Sequence, residues 1–278
     1  MTGAPLASAS RPGSEDASLA SALGIERGDL VTLVGSAGKS TPLAALAREV
    51  LDGGGTAVTA TTTKYRPRVG AEGEFFYREG REGWPDGAET DRLARVLAER
   101  RHLGLAEGRN EAGKWTGLPP ECVDRLRRLL APDLFLVEGD GARQLPLKSH
   151  RETEPVIPQS SDVVVQLAPA DVLGQPAGPE TIHRFELAEA RLGLRVGNPL
   201  AARDVVRLVL DPAGVLRVLP ARARWVVFLN RAAPGRARED AREIARAIAE
   251  ILRPGARRPE RVVMGEARPG ASGTERLQ

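Results

Sequence analysis

The sequence predicts an α/β fold: a mostly parallel sheet with helices on both faces. Three observations predict it. Apolar, β-branched segments alternate with segments of helical spacing. A glycine-rich turn, "GSAGKST", joins the first apolar strand to the first long helix. The apolar runs also end in polar segments, which a parallel sheet would gather along its carboxyl edge, where ligands bind.

Each element has its own signal. Residues 18–25, "SLASALGI", read as a short lead-in helix, and "LVTLV" as a buried strand. From Thr41 to Leu51 the spacing puts Leu43, Leu46, Ala47 and Val50 on one helical face. Pro42 falls in the first turn, where its missing N–H is no loss. "GGG" ends that helix, and "TAVTATTT" supplies the second strand. Residues 65–118 read as an irregular insertion, with a short aromatic segment "FFYREG", a helix near 89–101 and a strand around "HLGLAEG". A helix near 119–130 precedes the strand in "LFLVEGDGA". "DVVVQLAP", "WVVFLN" and "RVVM" are further strands, with a helix near 238–252 before the last. Residues 18–278 are expected to form one domain behind a disordered leader at 1–17.

Composition narrows the function. Hydrophobic residues make up 41% of the 278, enough for a core, yet no apolar run reaches the roughly 20 residues of a membrane helix. The start of the chain lacks the basic and apolar parts of a secretory signal, so the expected location is cytoplasmic. Cys122 is the only cysteine, which excludes an internal disulfide and a multi-cysteine zinc site. It reads as a half-buried apolar side chain in the helix near Pro119. The formal charge is only +3, and the arginines from Arg191 to Arg268 are interspersed with acids. They read as solvated helix faces rather than a nucleic-acid surface.

Of 40 basic residues only Lys39, Lys64, Lys114 and Lys148 are lysines. A lysine kept in so arginine-rich a chain marks a place where a compact point charge is needed. Lys39 lies in a shortened phosphate loop, G-x-x-G-K-[ST], running Gly35, Ser36, Ala37, Gly38, Lys39, Ser40, Thr41. The glycines let the backbone approach a polyphosphate with a helix N-terminus behind it. Lys39 would reach phosphate oxygens, and Ser40 or Thr41 would hold Mg²⁺. The fold is therefore expected to be P-loop-NTPase-like.

"LFLVEGDGAR" resembles a Walker B strand. Glu138 and Asp140, two apart, could hold Mg²⁺ and polarise an attacking water, or could be solvated loop acids. Gly141 follows, and Arg143 and Lys148 could neutralise phosphate charge. Thr61, Thr62, Thr63 and Lys64 end the second strand, as ligands or as ordinary strand residues. Asn230 begins "NRAAP", which has neither the lysine nor the aspartate of a guanine-reading segment, so GTP is not inferred. His183, beside Arg184 and downstream of the acid in "APADVLG", is as a lone histidine more often structural.

Taken together, "LVTLVGSAGKST", "TATTTKYRP", "LFLVEGDGARQLPLKSHRETEPVIPQSSDVVV" and "DVLGQP…IHR" resemble the YqeC family, accessory proteins of selenium-dependent molybdenum hydroxylases. The resemblance runs from about Leu19 to Asn230. It implies a cytoplasmic, P-loop-like protein acting in maturation of such a hydroxylase. The matching positions are Gly35, Gly38, Lys39, Ser40 and Thr41; Thr61 to Lys64; Glu138, Asp140, Gly141, Arg143 and Lys148; Glu154 to Pro158; and His183 with Arg184. The chain departs from the family loop at Ala37, which replaces a glycine, and at Pro42. Gly139 replaces an alanine.

The leading expectation is a Mg²⁺-dependent protein that binds, and slowly hydrolyses, ATP or another NTP. Lys39, Glu138 and Asp140 would be its catalytic residues, and Ser40, Asp140 and Glu138 its metal ligands. Two alternatives use the same edge. One is a non-hydrolysing chaperone for a phosphorylated molybdenum cofactor, and the other a transferase or ligase forming a phosphoryl or acyl-phosphate intermediate. The partners would be a nucleotide and a hydroxylase or its cofactor, with neither nucleic acid nor membrane.

Overall fold

A computed structural model describes residues 18–64, 74–111, 113–252, 254–267 and 274–277. The leader expected at 1–17 lies outside the described residues, as does 65–73 of the expected insertion.

The chain opens with α1 (Leu19–Leu23), β1 (Leu30–Gly35), α2 (Ser40–Asp52) and β2 (Ala57–Thr61). Next come β3 (Glu74–Tyr77), α3 (Gly87–Arg100) and β4 (His102–Ala106), and a small hairpin of β5 (Gly108–Arg109) and β6 (Trp115–Thr116). α4 (Pro120–Leu130) leads to β7 (Leu134–Glu138), β8 (Leu147–Lys148), β9 (Val163–Pro169) and β10 (Ile182–His183). Three short helices follow: α5 (Phe185–Leu192), α6 (Ala202–Val209) and α7 (Val215–Val218). The last elements are β11 (Arg224–Asn230), α8 (Arg236–Ile251), β12 (Arg261–Gly265) and β13 (Glu275–Arg276).

Among the described residues nine strands form one sheet in the order β13-β12-β11-β9-β1-β7-β2-β4-β3. All neighbours run parallel except β13, which pairs antiparallel with β12. The sequence reading treated 65–118 as an insertion. Its described part instead builds the far edge of the sheet through β3, α3 and β4. The runs "FFY" and "HLGLA" are too short to carry a periodicity, so their place in the sheet was not visible locally.

Both faces are covered, because alternate side chains of each strand point to opposite sides. On one face Val31, Leu33, Leu134, Leu136, Val163 and Val165 pack with α1 and with Leu43, Leu46, Ala47 and Val50 of α2. Those four are the residues whose spacing predicted that helix. Each buried Leu or Val contributes about 1.5–3 kcal/mol. On the other face Leu30, Val58, Phe135 and Val137 meet α3 and α4. There too Val164, Val227, Leu229 and Val262 meet α6 and α8. Cys122 is buried among the α4 residues, and burial pushes its thiol up to about 11.

The chain leaves β1 for β2 on one side and later places β9, β11 and β12 on the other. β1 is thus the switch point of the sheet, and the crevice outside its carboxyl end is where α/β folds bind ligands.

A second constraint shapes that edge. Leu118 N–H donates to the Thr61 carbonyl (2.7 Å), and a Cβ on Gly117 would stand 2.1 Å from the carbonyl carbon of Thr62. The hairpin β5–β6 therefore rests backbone to backbone on the loop after β2. Gly117→Ala is expected to lower the thermal midpoint by the equivalent of about 3 kcal/mol or more. Gly113→Ala, at φ 68 with open space around it, should cost only about 1 kcal/mol. Differential scanning calorimetry of the two variants checks the contrast.

Candidate functional site

The turn from β1 to α2 is bent by residues at positive φ: Gly35 (92°), Ala37 (64°) and Gly38 (81°). Gly35 has no alternative, since a Cβ there would lie 2.4 Å from the Leu167 carbonyl oxygen. Ala37 carries a Cβ in the left-handed region at some cost. It is held there by Asn230, whose Nδ2 donates to the Ala37 carbonyl (2.8 Å). Ser36 N–H donates to the Leu167 carbonyl (3.1 Å), tying the loop to β9.

Lys39 heads the helix and turns back into the loop. Its Nζ donates to the Gly35 carbonyl (2.7 Å) and stands 3.0 Å from Asp140 Oδ1 and 3.9 Å from Glu138 Oε1. Its residue is only 4% exposed. Burial works against the charge, but Asp140 and Glu138 outweigh it and raise the ammonium pKa.

Asp140 lies beneath the loop, fully buried. Gly35 N–H donates to both its oxygens (3.1 and 2.9 Å). Lys148 Nζ donates to Oδ2 (3.0 Å), and His150 Nε2 lies 2.8 Å from the same oxygen. Burial alone would raise this carboxyl. Lys148, Lys39 and His150 instead hold it well below the usual carboxylate range. Burial lowers the His150 pKa more than Asp140 raises it, so the neutral ring donates its Nε2–H to the carboxylate.

Glu138 meets a different environment from a residue two positions away. Burial pushes its carboxyl up to about 7, against the pull of Lys39. Ser40 Oγ donates to its Oε2 across 3.5 Å. A hydroxyl and a carboxylate at a helix N-terminus are hard oxygen donors of the kind Mg²⁺ takes beside phosphate and water. Among the described residues no group of three or more His, Cys, Asp or Glu side chains is placed to hold a metal by itself.

The structure brings Gly35 to Thr41, Glu138, Asp140, Gly141 and Lys148 together, and it changes the expected role of Asp140. With both oxygens already engaged by one N–H, two ammonium groups and an imidazole, Asp140 is a buried counter-charge rather than an open metal ligand. Thr61 and Thr62 face inward: Thr61 Oγ1 donates to the Glu138 carbonyl (3.2 Å) and Thr62 Oγ1 to the Val156 carbonyl (2.6 Å). Thr63 is half-buried beyond them, and Lys64 and Arg143 are exposed. The acid upstream of His183, Asp171, pairs with Arg231 (3.9 Å) instead. Gly139 sits where a Cβ would come within 2.9 Å of both Thr32 Cγ2 and Val34 Cγ1.

Sequence reasoning missed His150. Its signal was the alternation in "LPLKSH", which puts Lys148 and His150 on one side of an extended segment. It also left unpaired what the fold joins: Glu154 receives Arg184 through both guanidinium nitrogens (2.7 and 2.8 Å) and Lys148 Nζ (3.1 Å). Burial opposes ionisation of Glu154, but Arg184 and Lys148 prevail and bring it down to about 2.

The family model described as YqeC protein matches residues 31–186. A protein of Escherichia coli (strain K12) named "Uncharacterized protein YqeC" is 31% identical over 206 residues, covering 74% of this chain and 77% of its own. The chain belongs to the YqeC family. The YqeC match spans the loop, the Glu138–Asp140 segment, Glu154 and Arg184, while Asn230, which holds Ala37, lies beyond it. Among solved structures, the GDP complex of the signal recognition particle 54 kDa protein from Aeropyrum pernix K1 aligns with a TM-score of 0.37 at 17% identity. That alignment covers 89% of this chain and 43% of the other.

The two acids should respond oppositely to loss of charge. Asp140→Asn leaves two buried lysines short of a counter-ion and is expected to cost about 3–5 kcal/mol at neutral pH. Glu138, with its pKa raised to about 7, contributes most to stability below the ordinary glutamate range, near 4.5, and that contribution is lost as pH rises through about 7. Glu138→Gln should therefore be more stable than wild type by on the order of 3 kcal/mol at pH 8, with the gap closing toward pH 4. Urea unfolding across that range checks both.

Proposed function

We propose that this chain is a Mg²⁺-dependent nucleotide-binding protein that hydrolyses ATP or another NTP in the maturation of a selenium-dependent molybdenum hydroxylase, in the cytoplasm. The observation that carries the reading is the loop itself. Three of its residues lie at positive φ, a helix N-terminus stands behind it, and a buried lysine is folded onto its first carbonyl. Backbone N–H groups and a single ammonium so arranged suit a polyphosphate. Family membership supports the setting in hydroxylase maturation. Among the described residues no helix is long and apolar enough to cross a membrane.

In this reading the Lys39 ammonium exchanges Asp140 and the Gly35 carbonyl for phosphate oxygens. Asp140 stays compensated by Lys148 and His150, so the exchange strands no buried charge. Ser40 and Glu138 would hold Mg²⁺, which supplies charge neutralisation at the phosphates when bound. Glu138, ionised above about 7 in the free protein, would also orient the attacking water. Thr63, Lys64 and Gly141 would meet the outer part of the nucleotide.

Calorimetric titration with ATP and GTP in the presence of Mg²⁺ tests this. Wild type is expected to bind at least one of them, and Lys39→Ala to weaken that binding about 10- to 100-fold through loss of a charge-assisted hydrogen bond. Glu138→Gln should retain binding and lose phosphate release. Binding of neither nucleotide would overturn the proposal. Unimpaired hydroxylase maturation with Lys39→Ala in cells would remove the nucleotide from that role.

A further inference from the structure

Beside the loop lies a second group of cations, of which the nucleotide reading uses only Lys148, as a counter-charge to Asp140. β8 and β10 form their own two-stranded parallel pair, in which His183 is in register with Lys148 and Ile182 with Leu147. The pair is closed by Ser149 N–H donating to the His183 carbonyl (3.0 Å). Lys148 Nζ then reaches the Gly141 carbonyl (2.6 Å), which brings the segment carrying Arg143 up to the same pair.

The charges here divide into satisfied and unsatisfied. Lys148 is neutralised by Asp140 and Glu154, and Arg184 by Glu154. Arg143 makes no hydrogen bond or ion pair among the described residues, and neither does the His183 ring, although that residue is only 9% exposed. Arg143 (φ 49°), Gln144 (66°) and Arg184 (61°) are all left-handed non-glycine residues. Each such conformation costs about 1–3 kcal/mol and clusters where a ligand is held. Lys148 and Arg184, held by the shared Asp140 and Glu154, thus stand with an exposed Arg143 on the adjoining segment and a His183 ring that has no hydrogen-bond partner among the described residues. The balance is positive, and the free donors are Arg143 and His183.

We infer that Arg143 and His183 form a second anion site beside the phosphate loop, one that takes the phosphate or carboxylate group of a small-molecule substrate distinct from the nucleotide. Arg143 supplies the planar fork that suits either oxyanion. His183, adjoining Lys148, closes the site on its buried side. The free protein keeps this ring neutral. Burial, then Arg184, Lys148 and Arg143 depress its pKa to about 4, with Glu154 acting weakly the other way. An arriving anion opposes those cations and raises the ring's pKa, while near neutral pH the neutral ring offers its one N–H to the ligand as a second donor. A protein with this site would be a two-substrate catalyst, its nucleotide serving a small anionic acceptor held alongside.

The test follows the imidazole resonances of the full chain by NMR against pH. Inorganic phosphate and acetate serve as probes, with sodium chloride at equal ionic strength as control. The chain has three histidines, so His183 is assigned from the spectrum of His183→Gln. The expected result is a His183 pKa that rises by one unit or more with phosphate or acetate and not with chloride. Whichever probe acts identifies the class of group. Arg143→Ala, at an exposed position, should abolish the response and by itself raise the pKa in the free protein. Arg143→Lys should restore part of the depression. Lys39→Ala should keep the response, which separates this site from the loop and makes the result independent of the nucleotide reading. The inference is overturned if neither probe moves His183, if the shift survives Arg143→Ala, or if it disappears with Lys39→Ala.

Discussion

One buried carboxylate organises the carboxyl edge of this sheet. Asp140 accepts from the backbone of the phosphate loop, from the lysine that heads α2, and from Lys148 and His150 of the segment that follows β7. These donors come from two places, the β1–α2 loop and the segment around β8, so the aspartate ties the one to the other. A lone buried charge of this kind would be too costly to keep. It persists because every partner is charged or strongly dipolar. The β1–α2 loop, Lys39 and the segment carrying Lys148 and His150 are built around that one demand.

Glu138 shows how sharply two neighbouring carboxylates can differ. Strand β7 ends at Glu138, and the chain then turns Asp140 beneath the loop while leaving Glu138 beside Ser40. Asp140 meets two ammonium groups and stays ionised. Glu138 sees mainly burial, with one lysine at 3.9 Å, and is held near neutrality. Environments that push two acids apart in this way assign them different work: one holds charge in place, the other can gain or lose a proton near neutral pH.

Much of this was legible in the sequence, and the rest was illegible for stateable reasons. The strand–loop–helix unit from Leu30 to Asp52 could be read because its apolar periodicity, glycines and helix stop all agreed. Lys39, Glu138 and Lys148 stood out by residue type and by their places after apolar strands. The pairing of Glu154 with Arg184 spans 30 positions, and nothing local announces it. The short helices from Phe185 to Val218 have no N-cap side chain that bonds the helix and too few turns to show a period, so their bounds could not be placed from the sequence. Asp140 could be located by its motif. That it lies under the loop rather than open to a metal is a matter of depth, which a one-dimensional pattern does not record.

The left-handed alanine in the loop has a consequence of its own. A glycine at position 37 would leave the unfolded and ligand-free chain many more backbone states than an alanine does. Here Asn230, on a strand two places away in the sheet, holds the Ala37 carbonyl and imposes the one conformation the loop needs. The conformational work usually done by a ligand is thereby done during folding. A ligand would meet such a loop already shaped, with less order left to impose on association, and selectivity would come from rigidity more than from adjustment.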